Sequence, residues 1–291
     1  MSRIEEALKK LRRPASTPPA AASKRSAIPL SSKKKIVAAD TDRHRIAVAD
    51  LVAGGLLAPL DQQSGVADEF RKIKRPLIAN ATKADPEADA RMNLIMIASA
   101  MPGAGKTFCS VNLAVSMSLE RDLNVLLVDA DVPKPQISRE FGLGDAPGLT
   151  DLLLNEHSSV ADFLVRTDLS DILVLPAGRP HPEATELLAS DRMSTIMEEL
   201  ASRYRDRIVL LDSPPLLVTS EAQVLASQVG QVALVVESGA TSHQMLTHAL
   251  EVLDQSKAIN LILNKTRHTM GVGNYKYYGG EYGYHSYDKR S

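Results

Sequence analysis

One lysine, one threonine and three aspartates, each placed at or just beyond the end of an apolar run, are the residues of this chain best suited to chemistry. Ile95 to Ala98 could form one buried strand, and Pro102, Gly103, Ala104 and Gly105 follow in a turn that leads into Lys106, Thr107 and Phe108. After them Val111, Leu113, Ala114, Met117 and Leu119 give an apolar helical pattern. A strand, a glycine turn and a helix in this order form a cradle for polyphosphate. The glycines let successive N–H groups turn into one concavity, and the helix N-terminus adds partial positive charge there. Lys106 would reach the β- and γ-phosphates, and the Thr107 hydroxyl would ligate Mg2+. Residues 102–108 therefore form the candidate nucleotide-binding stretch, of Walker A type. Its first glycine is replaced by Ala100, so an ordinary glycine-rich turn carrying a lysine is the competing reading.

Two further strand ends weigh against that competing reading. Leu126, Leu127 and Val128 lead into Asp129-Ala130-Asp131, and Val209 to Leu211 lead into Asp212-Ser213-Pro214-Pro215. If the chain stays extended, Asp129 and Asp131 leave the strand on the same side. Read with Lys106 and Thr107, Asp212 would hold Mg2+ directly or through water, and Asp129 and Asp131 end a second strand as further carboxylates of the same constellation. Any one aspartate alone could equally cap a helix. Asn264, after the last apolar run, could hydrogen-bond a nucleotide base or simply cap a loop.

Strands and helices must alternate to bring these ends together. Strands are predicted at 94–98, 125–128, 172–175, 208–211, 232–236 and 260–263, with helices at 148–154, 184–200, 220–226 and 242–253 between them. The alternation implies an α/β fold with a mostly parallel sheet covered by helices on both faces, where ligands gather at the carboxyl ends of the strands. Earlier in the chain, residues 66–79 form an amphipathic helix with Phe70, Ile73, Leu77 and Ile78 on its apolar side. Arg71, Lys72, Lys74 and Arg75 are expected to be exposed, and Pro76 to kink or interrupt the helix.

The ends of the chain differ from this middle. Residues 1–13 place Ile4, Ala7, Leu8 and Leu11 on one face of a short basic helix, and residues 14–43 read as a disordered linker rich in Pro, Ala and Ser. Residues 1–45 hold twelve Lys and Arg against four Asp and Glu, so with a total of −1 the remainder carries −9. That balance argues against nucleic-acid binding by the body of the protein. Six of the seven tyrosines, Tyr275, Tyr277, Tyr278, Tyr282, Tyr284 and Tyr287, lie in a tail at 271–291 that has no aliphatic periodicity. A single cysteine and no apolar run near the roughly 18 residues of a membrane span lead to the expectation of a cytoplasmic protein.

The set 102–107, Asp129-Ala130-Asp131, Asp212-Ser213-Pro214-Pro215 and the tyrosine tail resembles the bacterial tyrosine kinases, P-loop enzymes akin to the partition and division-site ATPases. Residues 1–11, 69–77 and 178–190 resemble most the autokinases of exosortase-associated exopolysaccharide loci. The resemblance implies a P-loop NTPase fold, a kinase domain over 44–270, and ATP with Mg2+ as substrate and cofactor. It implies that Asp129 activates the attacking tyrosine hydroxyl, that Thr107, Asp131 and Asp212 hold the metal, and that the six tail tyrosines accept phosphate from a neighbouring subunit. It places Asp68, Arg71 and Lys74 on a subunit-interface helix of a ring-like homo-oligomer. A separate membrane polysaccharide co-polymerase would recruit the kinase to the inner face of the membrane, and a cognate phosphatase would reverse the modification. Pro133 stands where the family motif carries Arg, with Lys134 adjacent. An ATP-driven positioning switch is the alternative. Those ATPases carry a signature lysine where this chain has Met101. A tail used only for interaction is a second alternative.

Overall fold

The computed structural model describes residues 43–59, 65–83 and 91–266. The expected N-terminal helix and most of the linker, and the tyrosine tail, lie outside the described residues. Seven strands form one sheet in the order β3-β4-β2-β5-β1-β6-β7. They are β1 (Leu94–Ser99), β2 (Asn124–Asp129), β3 (Val165–Arg166), β4 (Leu173–Leu175), β5 (Arg207–Asp212), β6 (Gln231–Glu237) and β7 (Ala258–Asn264). All pairings are parallel except β3 with β4.

The six apolar runs become strands because helices cover both faces of the sheet, leaving no reason for polar alternation in its centre. β1 is buried at every position. Leu94, Met96 and Ala98 face one core, while Ile95 and Ile97 face the other. Helices α5 (Leu149–Leu154), α6 (Ala184–Leu188), α7 (Asp191–Arg203), α8 (Ser220–Gln228) and α9 (His243–Glu251) supply the first core. Helices α1 (Val48–Ala53), α2 (Gly65–Lys83), α3 (Lys106–Ser118) and α4 (Gln136–Glu140) supply the second. Truncating a fully buried side chain such as Leu210 to Ala should destabilise the fold by about 2–5 kcal/mol.

Four local expectations are corrected. The helix predicted over 184–200 is two helices, because the Ser190 hydroxyl accepts from the Met193 N–H and starts α7 anew. α2 runs unbroken through Pro76, which sits on its exposed side, where the carbonyl left without an N–H partner can meet water. Lys74 is buried, not exposed. Its ammonium donates to the Ser116 carbonyl oxygen and pairs with Glu120 at 2.9 Å, tying α2 to the end of α3. Leu119 ends the α3 pattern in solvent, 62% exposed. The two-residue β3 is too short to have left a periodic signal.

Candidate active site

The turn between β1 and α3 carries two glycines in the left-handed region, Gly103 at φ 87° and Gly105 at φ 93°. At Gly105 the left-handed backbone disfavours any side chain, and a Cβ would lie 2.2 Å from Asn264 Nδ2, so it would also displace that amide. Asn264 and Lys265, at the end of β7, brace the turn. Asn264 Nδ2 donates to the Ala104 carbonyl oxygen at 2.9 Å, and Lys265 Nζ donates to that of Gly103 at 2.7 Å. Glu237 Oε1 at the end of β6 holds the same ammonium at 3.0 Å. In a trans peptide N–H and C=O point opposite ways, so these bonds turn the N–H groups of Ala104 and Gly105 away from the braces. Of the two readings of Asn264, a base contact or a loop cap, its Nδ2 makes a loop contact.

Lys106 and Thr107 open α3 beside Asp212, the last residue of β5. The Thr107 hydroxyl donates to Asp212 Oδ2 at 2.7 Å, and Ser110 Oγ lies 3.0 Å from Asp212 Oδ1. Asp212 is fully buried. Burial pushes its carboxyl up to about 6, against the pull of the Thr107 hydrogen bond and the Lys106 charge. Lys106 is also largely buried, 7% exposed.

Asp129 and Asp131 do not share an environment. Asp129, opposite Asp212 in the β2–β5 register, is fully buried. Its Oδ2 accepts from both the N–H (2.8 Å) and the hydroxyl (2.7 Å) of Ser138 on α4, while its Oδ1 is buried with no partner among the described residues. Burial, reinforced by the Asp212 charge, pushes its carboxyl up to about 7. Asp131, two residues beyond the strand, is half-buried and faces a cavity of about 420 Å³. Its carboxyl is raised by burial, with Lys106 pulling the other way.

Gly103, Gly105, Lys106, Thr107 and Phe108 line the same cavity, as do Pro102, Pro133, Lys134 and the Pro214-Pro215 turn. Its size falls within the range of about 300–1,000 Å³ usual for small-molecule sites. Phe108 also packs on Phe70 of α2, with ring centroids 5.8 Å apart. Asp68 and Arg71 pair with each other at 2.8 Å on exposed α2, away from this cavity, and Lys74 is engaged inside the chain. The six tail tyrosines lie outside the described residues. Sequence reasoning missed Ser138 and Ser110 as partners of the aspartates, and Lys265 as a brace. Ser110 was findable, since it lies one helical turn beyond Lys106.

The donor set fits Mg2+. Among the described residues no three His, Cys, Asp or Glu side chains form a metal cluster by themselves. Mg2+ bound through one or two carboxylates, a hydroxyl and phosphate oxygens does not need such a cluster. Thr107 and Asp212 are already joined, and Asp131 faces the same cavity.

A family model described as an AAA domain matches residues 92–265. Tyrosine-protein kinase YwqD of Bacillus subtilis is 34% identical over 193 residues, covering 66% of this chain and 79% of its own. The putative tyrosine-protein kinase CapB of Staphylococcus aureus is 27% identical over 219 residues, covering 75% and 92%. The kinase domain of the Escherichia coli tyrosine kinase ETK superposes with a TM-score of 0.63 at 25% identity, over 75% of this chain and 83% of that one. Together with the parallel sheet and the phosphate loop, these likenesses establish that the chain belongs to the bacterial tyrosine kinases and carries a P-loop NTPase fold.

Proposed function

We propose that the chain is an ATP-dependent protein-tyrosine autokinase that phosphorylates its own C-terminal tyrosine cluster in trans and thereby regulates exopolysaccharide synthesis or export. The observation that carries this reading is the convergence of Lys106, Thr107 and Asp131 on one cavity, with Asp212 bonded to Thr107 behind them. Lys106 and the N–H groups of the braced loop would neutralise the β- and γ-phosphates of ATP. Thr107, Asp131 and Asp212 would hold Mg2+, which supplies charge neutralisation on the transferring group.

A tail tyrosine would enter beside Asp131. Its oxygen forms the bond to the γ-phosphorus as the bond to the ADP oxygen breaks, and its proton passes to a carboxylate. A free phenol titrates near 10, so a well-placed acceptor helps. Asp129 is the acceptor the family resemblance implies. It takes that role only where the phenol or a water reaches its unpartnered Oδ1, whereas Asp131 already faces the cavity. Each phosphate adds about −1.5 to −2 charges to the tail. That charge would loosen a ring-like homo-oligomer built through exposed Asp68 and Arg71 of α2.

Among the described residues no helix is long and apolar enough to cross a membrane. Recruitment by a separate membrane co-polymerase, with a cognate phosphatase resetting the tail, completes the proposal. Motifs at 1–11, 69–77 and 178–190 support placement with the exosortase-associated autokinases. The test of transfer between subunits mixes a Lys106→Ala chain with a tail-less wild-type chain and Mg-ATP. Phosphotyrosine on the Lys106→Ala tail is expected. Its absence, with the intact wild-type chain still modified, would refute transfer in trans.

A further inference from the structure

The structure assigns Gly54, Gly55 and Leu56 to the nucleotide site, as a wall delivered by an N-terminal strap whose seating sets nucleotide affinity. The assignment rests on the nucleotide-dependent reading above and extends it to residues outside the matched family region of 92–265. The three residues line the cavity shared with Lys106, Thr107 and Asp131.

The strap, residues 43–58, is held at both ends. At its start the His44 N–H donates to the Arg166 carbonyl oxygen at 2.7 Å, and the Ile46 N–H donates to Asp168 Oδ1 at 2.9 Å. It then crosses the sheet face with Ile46, Leu51 and Leu57 buried in the core. At its far end one side chain of the phosphate-loop helix fixes its register. Asn112 Nδ2 donates to the Leu56 carbonyl oxygen at 3.0 Å, and Asn112 Oδ1 accepts from the Ala58 N–H at 2.8 Å. The same Nδ2 donates to the Phe108 carbonyl oxygen at 2.7 Å, so Asn112 joins the strap to the first turn of α3. Between these anchors Gly55 adopts φ +71°, and a Cβ built on it meets no heavy atom within 4 Å. At Gly54 and Gly55 the wall is bare backbone, which a ligand in the cavity can approach closely.

The test is titration of the full-length chain with a fluorescent ADP analogue and Mg2+. Gly55→Asn tolerates the left-handed backbone and adds a side chain at a residue that lines the cavity. Asp168→Ala frees the distant end of the strap. Weakening of about tenfold for Gly55→Asn, or ~1.4 kcal/mol, and of a few-fold for Asp168→Ala is expected. Lys106→Ala is the control that abolishes binding through the phosphates. Hydrogen exchange in the wild-type peptide covering 50–58 should slow when ADP and Mg2+ are added, a readout that needs no variant. Wild-type affinity in both strap variants and unchanged exchange, with Lys106→Ala still failing to bind, would overturn the strap and leave the kinase reading standing. Failure of the wild type to bind nucleotide would overturn both.

Discussion

The ends of β2 and β5 lie side by side, with Asp129 opposite Asp212, and the two carboxylates are held in different ways. Asp212 has an oxygen on each of two hydroxyls of α3, so it is locked to the helix that follows the glycine turn. Asp129 gives one oxygen to Ser138 and leaves the other without a partner among the described residues. Ser138 Oγ in turn accepts from the Ala177 N–H at 2.9 Å, which links Asp129 to the loop after β4 and not to the phosphate loop. Equivalent positions on neighbouring strands thus carry different duties. In the proposed reaction Asp212 would serve the metal and nucleotide, while Asp129, tied to the loop after β4, would have an oxygen to spare for a proton.

The largest break in this comparison comes from Asp212→Asn, which removes the charge proposed to serve the metal. It should lower phosphotransfer on the order of 10³-fold while metal-free folding persists. Paired measurements on Asp129→Asn and Asp131→Asn sharpen the other side. The one that accepts the tyrosine proton should lose about 10²-fold in kcat with little change in KM for ATP. The one that only positions metal should instead demand more Mg2+.

The two strand ends also predict a pH dependence of metal-free stability. Asp129 moves from an ordinary 3.8 to about 7 on folding, so the folded state binds the proton more tightly. Its contribution is fully present below the ordinary value, declines as pH rises through about 7 and is flat above. Asp129→Asn cannot ionise and keeps an acceptor for Ser138. Its melting temperature should therefore exceed that of wild type by a margin that grows from pH 5 to pH 8. Equal margins at both would show that the burial of Asp129 carries no such penalty. The smallest effect is expected from Lys265→Met, which removes one brace of the phosphate loop. Nucleotide affinity should fall by a few-fold, and Lys265→Arg should restore part of it.

Much of this arrangement is legible in the sequence. The strand runs stand out because a sheet covered on both faces needs continuous apolar stretches, and the glycine turn with Lys106 stands out because phosphate binding demands it. What escaped reading is mostly polar and long-range. Ser138 reaches Asp129 from a helix nine residues away, and Lys265 braces a loop 162 positions earlier. Neither spacing is periodic. Lys74 is different, because Phe70, Lys74 and Leu77 fall at i, i+4 and i+7 on one helical face. Its charge suggested solvent, yet its spacing already placed it among buried neighbours. The break at Ser190 was likewise readable, as a serine followed by aspartate at a helix start.

The central claim is that this P-loop site phosphorylates tyrosines, and phosphopeptide mass spectrometry of residues 267–291 after incubation with Mg2+ and ATP tests it directly. The account predicts phosphotyrosine on the tail of the wild-type chain and none with Lys106→Ala. ATP hydrolysis that leaves the tail unmodified, with a membrane co-polymerase present, would contradict it.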